Sequence, residues 1–267
     1  MNRKPIACPK YYPNTFEKLD RSIRESFKHK KGPGTLQAQR RNVKNDLFLV
    51  PSETMEKAGP CTAWGYMEIA EAKFPKTYLI LGTNHHSETK YSTYLFANWE
   101  TPLGIVKINE DLGKTLQDQL PQLVNEHTAH ENEHSVEIQL PWLQFSARDK
   151  LQDLSFIPLT INTKDIKEIK KLAEVLNKFT EENNIPVIAS YNVEDTATIK
   201  YIESGNSEAL LNYKQRRRKD IKELAPLLTL IEIANLRDKK GEVINFQTSV
   251  SEENKREHYA CINFKWF

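Results

Sequence analysis

The chain of 267 residues carries 38 Lys+Arg against 36 Asp+Glu, a net charge of +2, with 39% hydrophobic and 28% charged residues. This balance is that of a globular protein in water rather than a disordered or membrane one, and it leaves no global field to draw in nucleic acid or an anionic membrane. No apolar run approaches the ~20 residues of a bilayer span, and the first residues lack the apolar centre of a signal peptide, so no membrane association and a cytoplasmic location are expected.

In chain order, Phe16, Leu19, Ile23 and Phe27 recur at helical spacing behind Asn14-Thr15, a suitable cap, and Gly32-Pro33-Gly34 closes that helix. Leu47 to Val50 is a short apolar run stopped by Pro51 and reads as a strand. A helix is expected over Thr62 to Lys73 and a strand over Thr77 to Leu81, closed by Gly82. Leu112, Leu116, Leu120 and Leu123 mark another helix, and Leu154 to Ile157 a strand. Ile166 to Phe179 predicts an amphipathic helix, Pro186 to Ala189 a strand, and Leu224 to Asn235 a strongly apolar helix. The tail, Glu242 to Thr248 and His258 to Phe264, reads as two strands joined by a polar turn, added antiparallel at a sheet edge. Continuous apolar strands alternating with helices, without repeats or a linker, predict one α/β domain over residues 1–267.

Chemistry concentrates in two places. Gly82-Thr-Asn-His-His86 follows directly on a strand, and ligands in open α/β sheets gather beyond the carboxyl ends of strands. His85 and His86 are there placed to bind a metal or move a proton, although one of two adjacent rings can serve only to brace the loop. The second place is the cluster His127, His130, Glu131, Glu133, His134 and Glu137. A helix from about Asn132 would put Glu133 and Glu137 on one face, and His130 with His134 likewise. A carboxylate at a helix start also has a purely structural use against the helix dipole. Cys8, Cys61 and Cys261 are far apart, form no CxxC pair and read as reduced thiols. Basic runs at Lys28 to Lys31 with Arg40-Arg41, and at Lys214 to Lys219, lack interleaved aromatics and read as solvated faces, so nucleic acid is not an expected partner.

Gly82-Thr-Asn-His-His86 and Glu133-His-Ser-Val-Glu-Ile-Gln-Leu-Pro-Trp-Leu143 resemble the two internal signatures of the Memo-like family, which includes the archaeal and bacterial AmmeMemoRadiSam system protein B. Tyr11-Tyr12-Pro13, Gly59-Pro-Cys61 and Pro226 opening an apolar helix are similar to further family elements. The resemblance implies a three-layer α/β/α fold with a mostly parallel central sheet, similar to the class III extradiol (non-haem iron) dioxygenases, and a pocket at the strand ends. It carries His85 over as a metal ligand, and His86, His134 and Glu133 as neighbouring groups for proton transfer.

The chain also departs from the pattern. Pro51-Ser52-Glu53-Thr54-Met55 stands where the family has Pro-His-Ala-Gly-Tyr; Ala189-Ser190-Tyr191-Asn192-Val193-Glu194-Asp195 replaces a segment supplying an Asp and a His; and Lys222-Glu223 replaces Cys-Gly. Of the family's metal-binding His, His and Cys, only His85 remains. Two readings follow. One is a catalytically degenerate, metal-poor member acting as a binding or scaffold module, its strand-end pocket taking a protein partner or small molecule. The other is a metal-dependent redox or dioxygenase-like enzyme holding iron or copper through His85 and substitute carboxylates among Glu53, Glu194, Asp195 and Glu223. The three losses fall on loops that converge in the family's site, which favours the first.

Overall fold

The computed structural model describes residues 2–36, 43–193, 195–217, 222–250 and 256–266. The chain runs α1 (Phe16–Lys28), β1 (Leu47–Val50), α2 (Met55–Glu71), β2 (Thr77–Thr83), β3 (Tyr91–Thr93), β4 (Trp99–Thr101), β5 (Gly104–Ile108), α3 (Glu110–Gln119) and β6 (Leu123–Asn125). It continues through α4 (Thr128–Glu131), α5 (Leu140–Ser146), β7 (Ser155–Ile161), α6 (Ile166–Glu182), β8 (Val187–Ser190), α7 (Thr196–Glu203), α8 (Ser207–Arg216), α9 (Ala225–Leu236), β9 (Lys240–Val250) and β10 (Arg256–Lys265). One ten-stranded sheet has the order β4-β5-β7-β2-β8-β1-β10-β9, with β3 pairing β6 and β7. From β5 to β1 every neighbouring pair is parallel, and the long hairpin β9–β10 adds antiparallel to β1.

The core strands are apolar on both faces because both faces are covered. Leu47, Leu49, Leu79, Leu81, Leu159 and Val187 pack toward α3, α6, α8 and α9. Their alternates Phe48, Val50, Tyr78, Ile80, Phe156 and Ile188 pack toward α1, α2 and α5. This is the three-layer α/β/α arrangement with a mostly parallel sheet, and the tail hairpin lies at the edge as the sequence predicts. Pro158 sits inside the central strand β7 without disrupting it. On one side it pairs with Ile80 of β2. On the other, β5 engages Ser155 and Phe156 while β3 engages Thr160 and Ile161, so Pro158 falls at the junction where an N–H is not called for.

Several boundaries differ from the sequence reading. α2 begins at Met55, not Thr62: Thr54 caps it by accepting from Lys57 N, and Pro60 lies within the first two turns. The repeat of leucines from Leu112 does not extend α3 to Leu123, because the helix stops at Gln119 and Leu123 opens β6. No helix starts at Asn132. The short α4 ends at Glu131, and Glu133 and His134 lie outside any helix or strand before a turn and a 3-10 turn at Glu137–Gln139 lead into α5. No described helix is long and apolar enough to cross a membrane.

Residues 2–13 form a strap across the strand ends, fastened by one carboxylate. Glu137 is fully buried and accepts from Arg3 Nη1, from Ile6 N (3.0 Å), from Ala7 N (2.8 Å) and from the Tyr12 hydroxyl (2.6 Å). Arg3 in turn donates to the carbonyls of His130 and Glu133 and lies 3.9 Å from the centre of the Trp99 ring. A buried carboxylate is tolerated only with such compensation, and losing one partner strands the other. Glu137→Gln is therefore expected to cost about 3 kcal/mol, and Tyr12→Phe about 1 kcal/mol, in urea denaturation.

Candidate functional site

Beyond the ends of β1, β2 and β8 lies a cavity of about 560 Å³, lined among others by Lys10, Tyr11, Ser52, His85, His134 and Glu223. Its histidines are set by an Asn turn. The chain leaves β2 at Thr83, and buried Asn84 donates to Thr89 O while its Oδ1 accepts from His86 N (3.2 Å) and Ser87 N (2.9 Å). That turn presents His85 and His86 at the tip. Gly82 allows the Glu133–Val136 segment to close against the strand, since an added Cβ would lie 2.4 Å from Ser135 Oγ and 2.8 Å from Val136 Cγ2.

Glu133 is the centre of the site. Fully buried, it accepts from Ser135 N at 2.8 Å and pairs with His85 Nδ1 at 2.7 Å. His134 Nδ1 and His86 Nε2 stand 3.7 and 3.9 Å from its oxygens. Burial alone would raise the Glu133 carboxyl, but the bond to His85, its charge and the Ser135 N–H outweigh burial and hold it at about 2. On the far side of the same ring, His85 Nε2 lies 3.8 Å from Glu223 Oε1. The bond to Glu133, then Glu223, overcome desolvation and push His85 up to about 10. His134 is shifted the other way, chiefly by burial, with the charges of His85 and Lys10 adding to it. Its ring stacks on Tyr11 (4.3 Å between centroids, 20°) and lies parallel to His85 at 6.1 Å.

The structure thus brings His85, His86, Glu133 and His134 together, and Glu223 and Glu53 join the lining. The remaining candidates go elsewhere. Glu137 fastens the strap rather than sharing a face with Glu133. His130 does not pair with His134: it is fully buried beside Tyr94 and Trp99, and burial, then the Arg3 charge, push it down to about 3. Asp195 caps α7 through Thr198 N and faces Lys214 at 3.5 Å. Lys214 itself is buried, so that basic run is not simply a solvated face. Glu194, Arg40, Arg41, Arg218 and Lys219 lie outside the described residues.

Three site features escaped the sequence reading. Tyr11 was legible only as part of a resemblance, and its place on His134 depends on the strap. Lys10, whose Nζ lies 5.1 Å from the centre of the Tyr11 ring, and Asn132 also line the cavity. Ser52 and Asn192 clasp the loops after β1 and β8: Ser52 N donates to Asn192 Oδ1 (2.9 Å) and Asn192 Nδ2 to Ser52 O (2.8 Å).

The sequence profile of the Memo-like protein family matches residues 3–260. The chain belongs to the Memo-like family. A MEMO1 family protein of Sulfurisphaera tokodaii is 29% identical over 269 residues, covering 93% of each chain. One of Methanobrevibacter smithii is 31% identical over 196 residues, 71% of this chain and 68% of the relative. Among solved structures, an uncharacterized protein JW3007 from Escherichia coli K12 superposes with a TM-score of 0.56 at 11% identity, over 83% of this chain and all of that one. That likeness is one of fold.

Where the family resemblance implies a metal, the donors do not fit one. The loop after β1 offers Ser52 clasped to Asn192, Glu223 faces His85, and His85 has a carboxylate at each ring nitrogen. Among the described residues no group of three His, Cys, Asp or Glu is arranged to hold an ion. The His85–Glu133 pair makes a signed prediction. A raised imidazole stabilises fully below the unfolded value near 6.5 and loses this as pH rises through about 10; a lowered carboxyl stabilises above 4.5 and loses this as pH falls through about 2. The stability gap between the native chain and Glu133→Gln should be widest, about 1–2 kcal/mol after allowing for solvent at His85, between pH 4.5 and 6.5, and narrow on either side in urea melts.

Proposed function

We propose that this Memo-family chain is a catalytically degenerate member that uses its strand-end pocket as a binding module, for a small polar molecule or a segment of a protein partner. The observation that carries the reading is the fate of the ligand positions. The family resemblance implies a His, a His and a Cys converging on one ion. Here the first loop is tied back by Asn192, the helix-leading segment presents the Glu223 carboxylate, and His85 is held between carboxylates. A ring in that setting keeps a proton on the nitrogen that a metal would need.

What remains is suited to recognition. The stacked Tyr11 and His134 rings form a flat wall, Lys10 Nζ lies 5.1 Å from the centre of the Tyr11 ring, and Tyr11 and Asn132 add polar groups to the lining. A few placed polar groups around a cavity of this size fix the orientation of a bound molecule.

One arrangement favours the rival reading, a non-haem iron or copper enzyme. A carboxylate on Nδ1 is also how a metal-binding histidine is held from behind, and Glu223 stands beside the other nitrogen. Anaerobic titration with iron(II), copper and zinc, read by calorimetry and elemental analysis, separates the two. The binding reading expects no stoichiometric uptake by the native chain, and no difference from His85→Ala. One tightly bound equivalent that disappears in His85→Ala would overturn it.

A further inference from the structure

A second cavity, of about 470 Å³, opens at the opposite end of the sheet and shares no lining residue with the strand-end pocket. It lies below the starts of β1, β2 and β8, where Val187 N bonds Asp46 O and Leu79 N bonds Pro186 O. Val43, Phe74, Pro75, Ile185 and Pro186 supply apolar walls. Around them stand four cations, Lys44, Lys73, Lys76 and Arg237, against two carboxylates, Asp46 and Glu181. The whole chain is only +2, so this is a local concentration of positive charge.

The floor carries the same imbalance. Buried Asp46 faces two buried cations, Arg237 through Nη1 at 3.0 Å and Lys239 through Nζ. Glu181, on the surface, lies 3.8 Å from Arg237 Nε. The Lys239 ammonium is pushed down by burial first, with the charges of Arg237 and Lys44 adding to that and Asp46 opposing. Arg237 donates from Nε to Asn177 Oδ1 (2.7 Å), from Nη2 to Thr180 Oγ1 (2.6 Å) and from Nη1 to Asp46, which leaves a second Nη1 N–H without an acceptor among the described residues. Lys44, Lys73 and Lys76 form no ion pair with a described residue. The C-terminal ends of α2, α6 and α9 approach this end of the sheet and offset part of the charge, but a helix end carries only about half a charge and acts within its last turn.

We infer that this cavity binds a small soluble anion carried on an apolar body, an aryl or acyl phosphate or carboxylate, with the anion against Arg237, Lys73 and Lys76 and the body against Phe74 and Pro186. Its volume is that of a small-molecule site, and its combination of apolar walls with excess cations selects against neutral apolar molecules and against bare inorganic anions.

The test is calorimetric titration of the full chain with 1-naphthyl phosphate, with 1-naphthol and inorganic phosphate as comparators and chemical-shift mapping to place the ligand. The expected result is saturable binding of 1-naphthyl phosphate, both comparators weaker by about tenfold or more, shifts centred on residues 43–46, 73–76 and 180–186, and a loss of about tenfold or more in the exposed double variant Lys73→Gln/Lys76→Gln. Equal binding of 1-naphthol, undiminished binding by the double variant, shifts centred on the His85 pocket, or no binding at all would each overturn the inference.

Discussion

Two carboxylates four residues apart, Glu133 and Glu137, are both wholly withdrawn from water, and a buried charge persists only where donors and counter-charges surround it. The segment between them is a turn running into the 3-10 turn before α5, not a continuous helix, so the two point in different directions. Glu137 gathers Arg3, Tyr12 and the backbone of the strap; Glu133 gathers His85 and Ser135. The strap lays Tyr11 on His134, and Arg3 holds the carbonyls of His130 and Glu133. The shape of the pocket therefore follows from satisfying two charges.

The fold was legible because burial on both faces leaves a plain record: runs such as Leu47 to Val50 and Thr77 to Leu81 can be little else than core strands between helices. Boundaries were less legible where a local device overrides periodicity. The cap at Thr54 starts α2 ahead of its apolar stripe, and Pro60 sits inside the helix past the free first-turn donors, where it leaves the Glu56 carbonyl without its helical N–H. The short strands β3, β4 and β6 give almost no pattern, since three residues cannot show an alternation.

The site was half legible. His85 and His86 follow a strand, so their position could be reasoned from topology, and the resemblance supplied Glu133 and His134. The spacing of the acidic cluster misled, because four-residue intervals indicate a shared face only on a helix, and this stretch is not one. Ser52 with Asn192, and Glu137 with Arg3, are joined across more than a hundred positions in sequence. Such pairs leave no local signal. The two ends of the sheet also divide the molecule's chemistry: acids and imidazoles crowd the carboxyl ends of the strands, while cations crowd their starts.

The central claim is that His85 is a charged, carboxylate-held ring and not a free metal donor. Long-range proton–nitrogen correlation NMR of the histidine rings, followed with pH on the native chain, tests it most directly. The account predicts that both ring nitrogens of His85 stay protonated through neutral pH and give up a proton only toward about 10. A neutral His85 ring at pH 7.5, with an unprotonated nitrogen facing the pocket, would contradict it.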